Sequence, residues 1–217
     1  MSTRERLVEA AFSLFDEQGF EATTVDDVAE RAGVGRTTFF RHFRAKEDAV
    51  LPDHERVLAA VEERLAQDDS LAERVAEAAR IVLERYLGEG ERARLRYRLA
   101  KSVPAIGRSE SAGHRAYQRA FKAAIRAELG DAVEARLESE LVANAVITAH
   151  NFVLRRWLRG ESEEPMAEFE RAMERATEPL HPEQMLTHLP GPVAAEAARR
   201  ALPALEDLLP ALRRLAD

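Results

Sequence analysis

RAGVGRTTFFRHFRAK, residues 31–46, holds five basic side chains (Arg31, Arg36, Arg41, Arg44 and Lys46) and no acidic one, inside a 217-residue chain of formal net charge -7. A helical pattern breaks at Gly33 and Gly35, then restarts with hydroxyls, aromatics and arginines. Two helices joined by so short a glycine turn must cross steeply, as in a helix-turn-helix, and the second is then placed to approach a polyanion. The global acidity argues against a protein that coats nucleic acid. The local charge predicts contact at one face.

Working outward, the turn separates a helix over Val25–Ala32 from a third helix over Arg36–Phe43. Thr24, with Asp27 three residues on, marks the start of the former. Ser2 with Glu5 marks a first helix from about Arg4 to Gln18, which carries an apolar stripe of Leu7, Ala11, Leu14 and Phe15 and ends at Gly19. Val28, Ala29, Ala32, Val34, Phe39 and Phe43 recur at spacings that close a small three-helix core. Arg36, Thr37, Thr38, Phe40, Arg41 and His42 are left on the outer face and first turn of the third helix. Amides and hydroxyls there can hold phosphates, and arginine can pair bidentately with guanine in the major groove.

The rest of the chain reads as longer helices. Ala, Leu, Glu and Arg dominate and β-branched residues are sparse, so propensity favours helix nearly throughout. A fourth helix is expected from Lys46 to Gln67, running past Pro52. Ser70 caps another to Leu87, ended by Gly88 and Gly90. Glu91–Ser102, Ser111–Leu129, Ala132–Leu158 and Pro165–Thr177 follow, with a break at Pro104 and Gly107. From Pro179 a tail with Pro182, Pro190, Pro192, Pro203 and Pro210 predicts short helical pieces. The alternation in Arg92-Ala-Arg94-Leu-Arg96-Tyr-Arg98-Leu is a strand pattern, but a lone strand would leave its backbone groups unpaired. Helix is expected there too.

TTVDDVAERAGVGRTTFFRHFRAKEDAV, residues 23–50, resembles the DNA-binding region of the TetR family of bacterial transcriptional regulators. The likeness covers residues 3 to 50 and lies in Thr-Thr before the helix, Ala-Gly-Val in the turn, aromatic-x-His-Phe in the recognition helix and Lys-Glu opening the next. It implies an all-α fold: a three-helix DNA-binding domain at 1–48 (motif about 25–44) joined to a helical effector-binding and dimerisation domain at 49–217. The DNA-binding set implied is Thr24, Arg36, Thr37, Thr38, Phe40, Arg41, His42 and Lys46, the last as the family's phosphate-contacting lysine. Gly35 stands where the family often has serine, and Phe40 where it commonly has tyrosine. Each loses a hydroxyl, worth about 1 kcal/mol of capping or contact.

In the larger part, Asn144, Thr148 and Asn151 form a polar stripe on an otherwise apolar helix, and buried polar groups need partners. The stripe faces either a ligand or a partner copy, interface being the commoner fate of such a helix. Tyr117 and Phe121, with His114 and Ile125, read as core or as the wall of an apolar pocket. The run Arg92, Arg94, Arg96, Arg98 and Lys101 reads as a solvated face or as an anionic handle, with Arg94 and Arg98 the ligand candidates. Leu95 to Trp157 weakly resembles TetR-type ligand domains associated with acyl-CoA-like effectors, which implies an amphipathic effector with an acyl chain and negative groups.

The partners implied are a palindromic double-stranded DNA operator, a second copy of the chain and that small molecule, with repression the commonest sign of regulation. No cofactor is expected. Absent cysteine excludes disulfides and Cys-ligated zinc, and the six histidines show no metal-ligand spacing. No phosphate loop or nucleophile elbow is present, so an enzyme is not expected. The apolar stretch Leu141–Leu154 is too short to span a bilayer and STRERLVEAAF has no signal-peptide core, which predicts a cytoplasmic protein without a membrane partner. The competing reading is a helical adaptor that binds protein alone, separable by the salt dependence of DNA binding.

Overall fold

Ser2 and Thr24 open the first two helices through reciprocal caps. Each hydroxyl accepts from the amide three residues on, and Glu5 and Asp27 accept from the cap amides in return. These helices are α1 (Thr3–Glu17) and α2 (Val25–Arg31). Gly33 turns the chain at a φ of 66°, a left-handed conformation that glycine adopts without strain. α3 (Arg36–His42) then starts at Gly35, with no side-chain cap. The computed structural model describes residues 1–181; among them the fold is all-α, without strands. α4 (His54–Leu65), α5 (Leu71–Glu89), α6 (Glu91–Leu99), α7 (Pro104–Leu129), α8 (Val133–Leu158) and α9 (Pro165–Thr177) complete it.

Three helix boundaries differ from expectation. The fourth helix does not run from Lys46 to Gln67: Lys46–Val50 is a short 3-10 turn, and α4 begins only at His54. Pro52 disfavours helical geometry in the residue before it, and Leu51 is extended at φ -67°, ψ 140°. Asp53 then caps α4 by accepting from the Arg56 amide. The expected break at Pro104 and Gly107 is instead the start of α7, with Pro104 in the first turn, where its missing N–H costs nothing. Gly107 lies inside that helix, at a close approach where a Cβ would come within 2.8 Å of the Ala100 carbonyl oxygen. Gly88 also stays helical, and α5 ends at Gly90 with φ 57°. The arginine-rich stretch is helix, as α6. Of the proline-punctuated tail, Glu178–Leu180 forms a 3-10 turn; the rest lies outside the described residues.

Two hydrophobic clusters divide the interior. One gathers α1, α2 and α3 around Leu7, Phe15, Val28, Phe39 and Phe43, and it also takes in Leu95, Leu99, Val103 and Ile106. The other packs α4, α5, α7, α8 and α9 around Val61, Leu83, Phe121, Val146 and Phe169. α6 belongs to both: Leu95 and Leu99 enter the first core while Ala93 enters the second. Burying a leucine side chain contributes roughly 2–3 kcal/mol, so Leu95 and Leu99 hold α6 to the first core more strongly than Ala93 holds it to the second.

Candidate functional site

Phe39 is fully buried and Phe43 nearly so, which fixes the rotation of α3 about its axis. The helical period then turns Thr37, Phe40 and Arg41 outward, and His42 with them; all four are exposed. Thr38 is half-buried. Phe40 stands 45% exposed, edge-on to Phe39, with the Arg36 guanidinium 5.1 Å above its ring. Arg36 also pairs with Asp26 at 2.8 Å, an exposed bridge that a phosphate can replace at small cost. Thr24 is exposed and uses its oxygen to cap α2.

Lys46, expected at the phosphates, folds back onto the protein in this structure. Its ammonium donates to the carbonyl oxygens of Phe20 (2.6 Å) and Thr23 (2.8 Å) and sits 4.2 Å from the Phe20 ring centroid. The turn between α1 and α2 leaves those carbonyls without helical partners, and Lys46 closes them. It braces the loop that carries Thr24 instead of projecting toward solvent. Val34, expected in the core, is half-buried against its edge.

A cavity of about 530 Å³ opens between α5, α6, α7 and α8. Of the predicted ligand residues only Asn151 lines it. Arg94 lies over the Trp157 ring and pairs with Glu91, while Arg98 reaches Asp16 of α1. The residues of α6 that face the cavity are Ala93 and Tyr97, followed by Ala100 and Lys101, whereas Arg98 is turned toward Asp16 of α1. Tyr117 and Phe121 sit behind the cavity, buried in the core. Asn144 and Thr148 are exposed beyond the cavity, so the polar stripe is split between two environments. Asn144 there bonds Gln118 at 2.6 Å and the Glu140 carbonyl at 2.8 Å.

The floor of the cavity is a polar network that the sequence did not announce. Glu110 accepts from the Tyr86 hydroxyl at 2.6 Å and from Arg96 Nε at 2.9 Å, and Arg96 also pairs with Glu89. Burial opposes the charge on Arg96, yet the two carboxylates outweigh it and raise its pKa. Burial, then Glu110, push the Tyr86 hydroxyl well above its ordinary range, so it remains a donor. Beside them the Asn151 carbonyl oxygen meets both His114 and His150. His150 is buried, and desolvation pulls its pKa down to about 4. The one available signal for Arg96 was its place three residues from both Ala93 and Leu99, the inward positions of α6.

Residues 7–51 match the family described as bacterial regulatory proteins, tetR family. The transcriptional regulator TcmR of Streptomyces glaucescens is 44% identical over 73 residues, 32% of each chain. YerO of Bacillus subtilis is 35% identical over 48 residues, 22% of this chain and 17% of that one. The chain thus spans a third or less of the length of these relatives. Among solved structures, the fatty acid degradation regulator FadR of Bacillus halodurans superposes with a TM-score of 0.62 at 13% identity, covering 81% of this chain and 95% of that one. SmeT, repressor of a Stenotrophomonas maltophilia efflux pump, gives 0.55 at 21% identity over 82% and 90%. Thermus thermophilus FadR in complex with lauroyl-CoA gives 0.52 at 24% identity over 87% and 98%. At these identities the likeness establishes the fold.

Proposed function

From the match of residues 7–51 to the tetR family of bacterial regulatory proteins, we propose that this chain is a homodimeric, ligand-responsive transcriptional repressor of that family. Residues 1–48 form the operator-binding domain and 49–217 the effector and dimer domain. Thr37, Phe40, Arg41 and His42 face the major groove, Thr24, Arg36 and Thr38 flank them at the phosphates, and Lys46 contributes by bracing the loop before α2. Phe40 offers an apolar contact, suited to a thymine methyl. Two recognition helices of a dimer enter successive grooves of a palindrome.

The observation that carries this reading is the double membership of α6. Its Leu95 and Leu99 pack in the core that holds the recognition helix, and its Ala93 and Tyr97 wall the cavity. An occupant that moves α6 changes the pose of the DNA-binding domain, and by linkage operator and effector weaken each other equally. The solved relatives bound to lauroyl-CoA and triclosan support an amphipathic effector, acyl-CoA-like in the first case. The dimer is supported by the outer side of α8, where Val133, Leu137, Leu141 and Phe152 stand exposed. No described helix is long and apolar enough to cross a membrane, and we place the protein in the cytoplasm, acting on DNA and not as an enzyme.

The test is selection of bound sequences from random DNA, followed by gel retardation of the selected site across a salt series. Affinity that falls steeply with salt supports the reading, since phosphate contacts release counterions. A protein that retains no DNA at any salt is an adaptor instead.

A further inference from the structure

The mouth of the cavity carries two cations that no carboxylate among the described residues pairs with, although Lys101 Nζ lies 4.5 Å from the Tyr97 ring centroid. On α6, Arg92 meets Glu9, Arg94 meets Glu91, Arg96 meets Glu89 and Glu110, and Arg98 meets Asp16. Lys101, in the turn that follows, has no carboxylate partner among the described residues. Nor has Arg155 of α8, although its neighbours Arg156 and Arg159 pair with Glu168 and Glu161. Lys101, just after α6, and Arg155, on α8, both line the cavity, and both are exposed.

Deeper in, the available groups are donors. Asn151 lies one turn before Arg155 on the same face of α8, and its carbonyl oxygen is taken by His114 and His150. Its amide N–H groups are what remains for an occupant. Glu110, the acidic side chain in this wall, is already held by Tyr86 and Arg96, so its charge is answered from behind. Ile147, Leu154 and Leu158 supply the apolar strip, and Ile147 to Leu158 spans about 16 Å of helix at roughly 1.5 Å per residue. Two like charges at the rim of a low-dielectric cleft focus their field on an anion.

We propose that the cavity selects an amphipathic carboxylate. Its head sits between Lys101 and Arg155, an uncharged oxygen next to it accepts from Asn151, and its apolar body lies along Ile147, Leu154 and Leu158. The inference rests on the effector reading above and replaces Arg94 and Arg98 as the anionic handle. The carboxylate would tie the end of α6 to α8, and α6 carries Leu99 into the core of the DNA-binding domain.

The experiment is calorimetric titration of the full chain with dodecanoate, dodecanol and dodecylamine, which share a tail and differ in head charge, and with dodecanoyl-CoA, whose charge lies on phosphates. Dodecanoate is expected to bind at least about 10-fold more tightly than the other three. The double variant Lys101→Gln, Arg155→Gln should lose about 10-fold or more for dodecanoate and keep its affinity for dodecanol. Unchanged thermal melting of that variant confirms its fold. Absent dodecanoate binding, equal binding of dodecanol, dodecylamine or dodecanoyl-CoA, or full affinity in the double variant each overturns the proposal. Operator retardation in the same preparations judges the regulator reading separately: dodecanoate that binds as described without loosening DNA leaves the site standing and removes its effector role.

Discussion

Arg96 of α6 and Glu110 of α7 form a 2.9 Å ion pair in which the guanidinium side chain is only 3% exposed. Glu110 lines the cavity while Arg96 stands on the helix that enters the DNA-binding core, so the pair joins the two regions. Removing one partner of a buried pair strands the other charge. Arg96→Met is therefore expected to lower stability by about 3 kcal/mol or more, and Glu110→Gln in that background should restore part of it. Urea unfolding of the single and double variants reads both. A loss under about 1 kcal/mol would mean the stranded carboxylates regain water.

Gly113 of α7 lies flat against His54, the first residue of α4, and a Cβ there would overlap the imidazole ring. His54 Nδ1 lies 3.0 Å from the Tyr117 hydroxyl, so the ring has little room to retreat. Gly113→Ala is expected to cost about 1–3 kcal/mol through overpacking. His54→Ala should be less harmful on the Gly113→Ala background than on the wild type, because it clears the overlap. Additive costs in thermal melts of the four proteins would contradict this contact.

Lys46 and Arg41 separate bracing from contact. Lys46→Ala removes donors from the Phe20 and Thr23 carbonyls and should lower stability by about 1 kcal/mol or more. Arg41 is exposed, and Arg41→Ala should leave stability within about 0.5 kcal/mol while weakening the operator complex about 10-fold. Equal effects of both variants on melting and on gel retardation would undo the distinction.

These contrasts mark how far the sequence can be read. Phe39 and Phe43 inward, with Phe40 and Arg41 outward, follows from helical period alone, because a short helix on a small core has one apolar side. Helix starts at Ser2, Thr24 and Ser70 were legible since a cap is satisfied within three residues. Lys46 was not, because its ammonium folds back on carbonyls more than twenty residues upstream. The cavity residues escaped for a related reason: choosing Lys101 and Arg155 over Arg94 and Arg98 requires the rotation of α6 against α8. Tertiary packing sets that rotation, and the arginine run conceals it by placing a cation at every second position.

The outer side of α8 predicts the oligomeric state. Val133, Leu137 and Leu141 recur every fourth residue, and Phe152 continues that side with Thr148 and Asn144 between. A two-fold interface brings the same strip from both copies together. Leu137→Glu with Leu141→Glu is expected to convert a dimer to a monomer in sedimentation velocity, and to abolish tight operator binding with it. The substitutions lie on exposed positions, 60% and 55% accessible, so the monomer should keep its helicity. A dimer that persists in the double variant places the interface elsewhere.

His150 gives the fold a pH dependence whose sign is fixed by its surroundings. It is 5% exposed, its Nδ1 faces Asn151, and its ring stands edge-on to Phe169. Burial holds its pKa at about 4 in the folded chain, against about 6.5 when unfolded. Between those values the unfolded state binds the proton and the folded state does not, so stability rises with pH across that window and is lost as pH falls through it. The full span amounts to roughly 3 kcal/mol. His54, whose pKa burial also lowers, acts in the same direction. Urea unfolding at pH 7.5 and pH 5 should therefore show a smaller acid loss for His150→Met than for the wild type, even where the variant is less stable at both. Parallel losses in the two proteins would show that His150 takes up its proton without leaving the core.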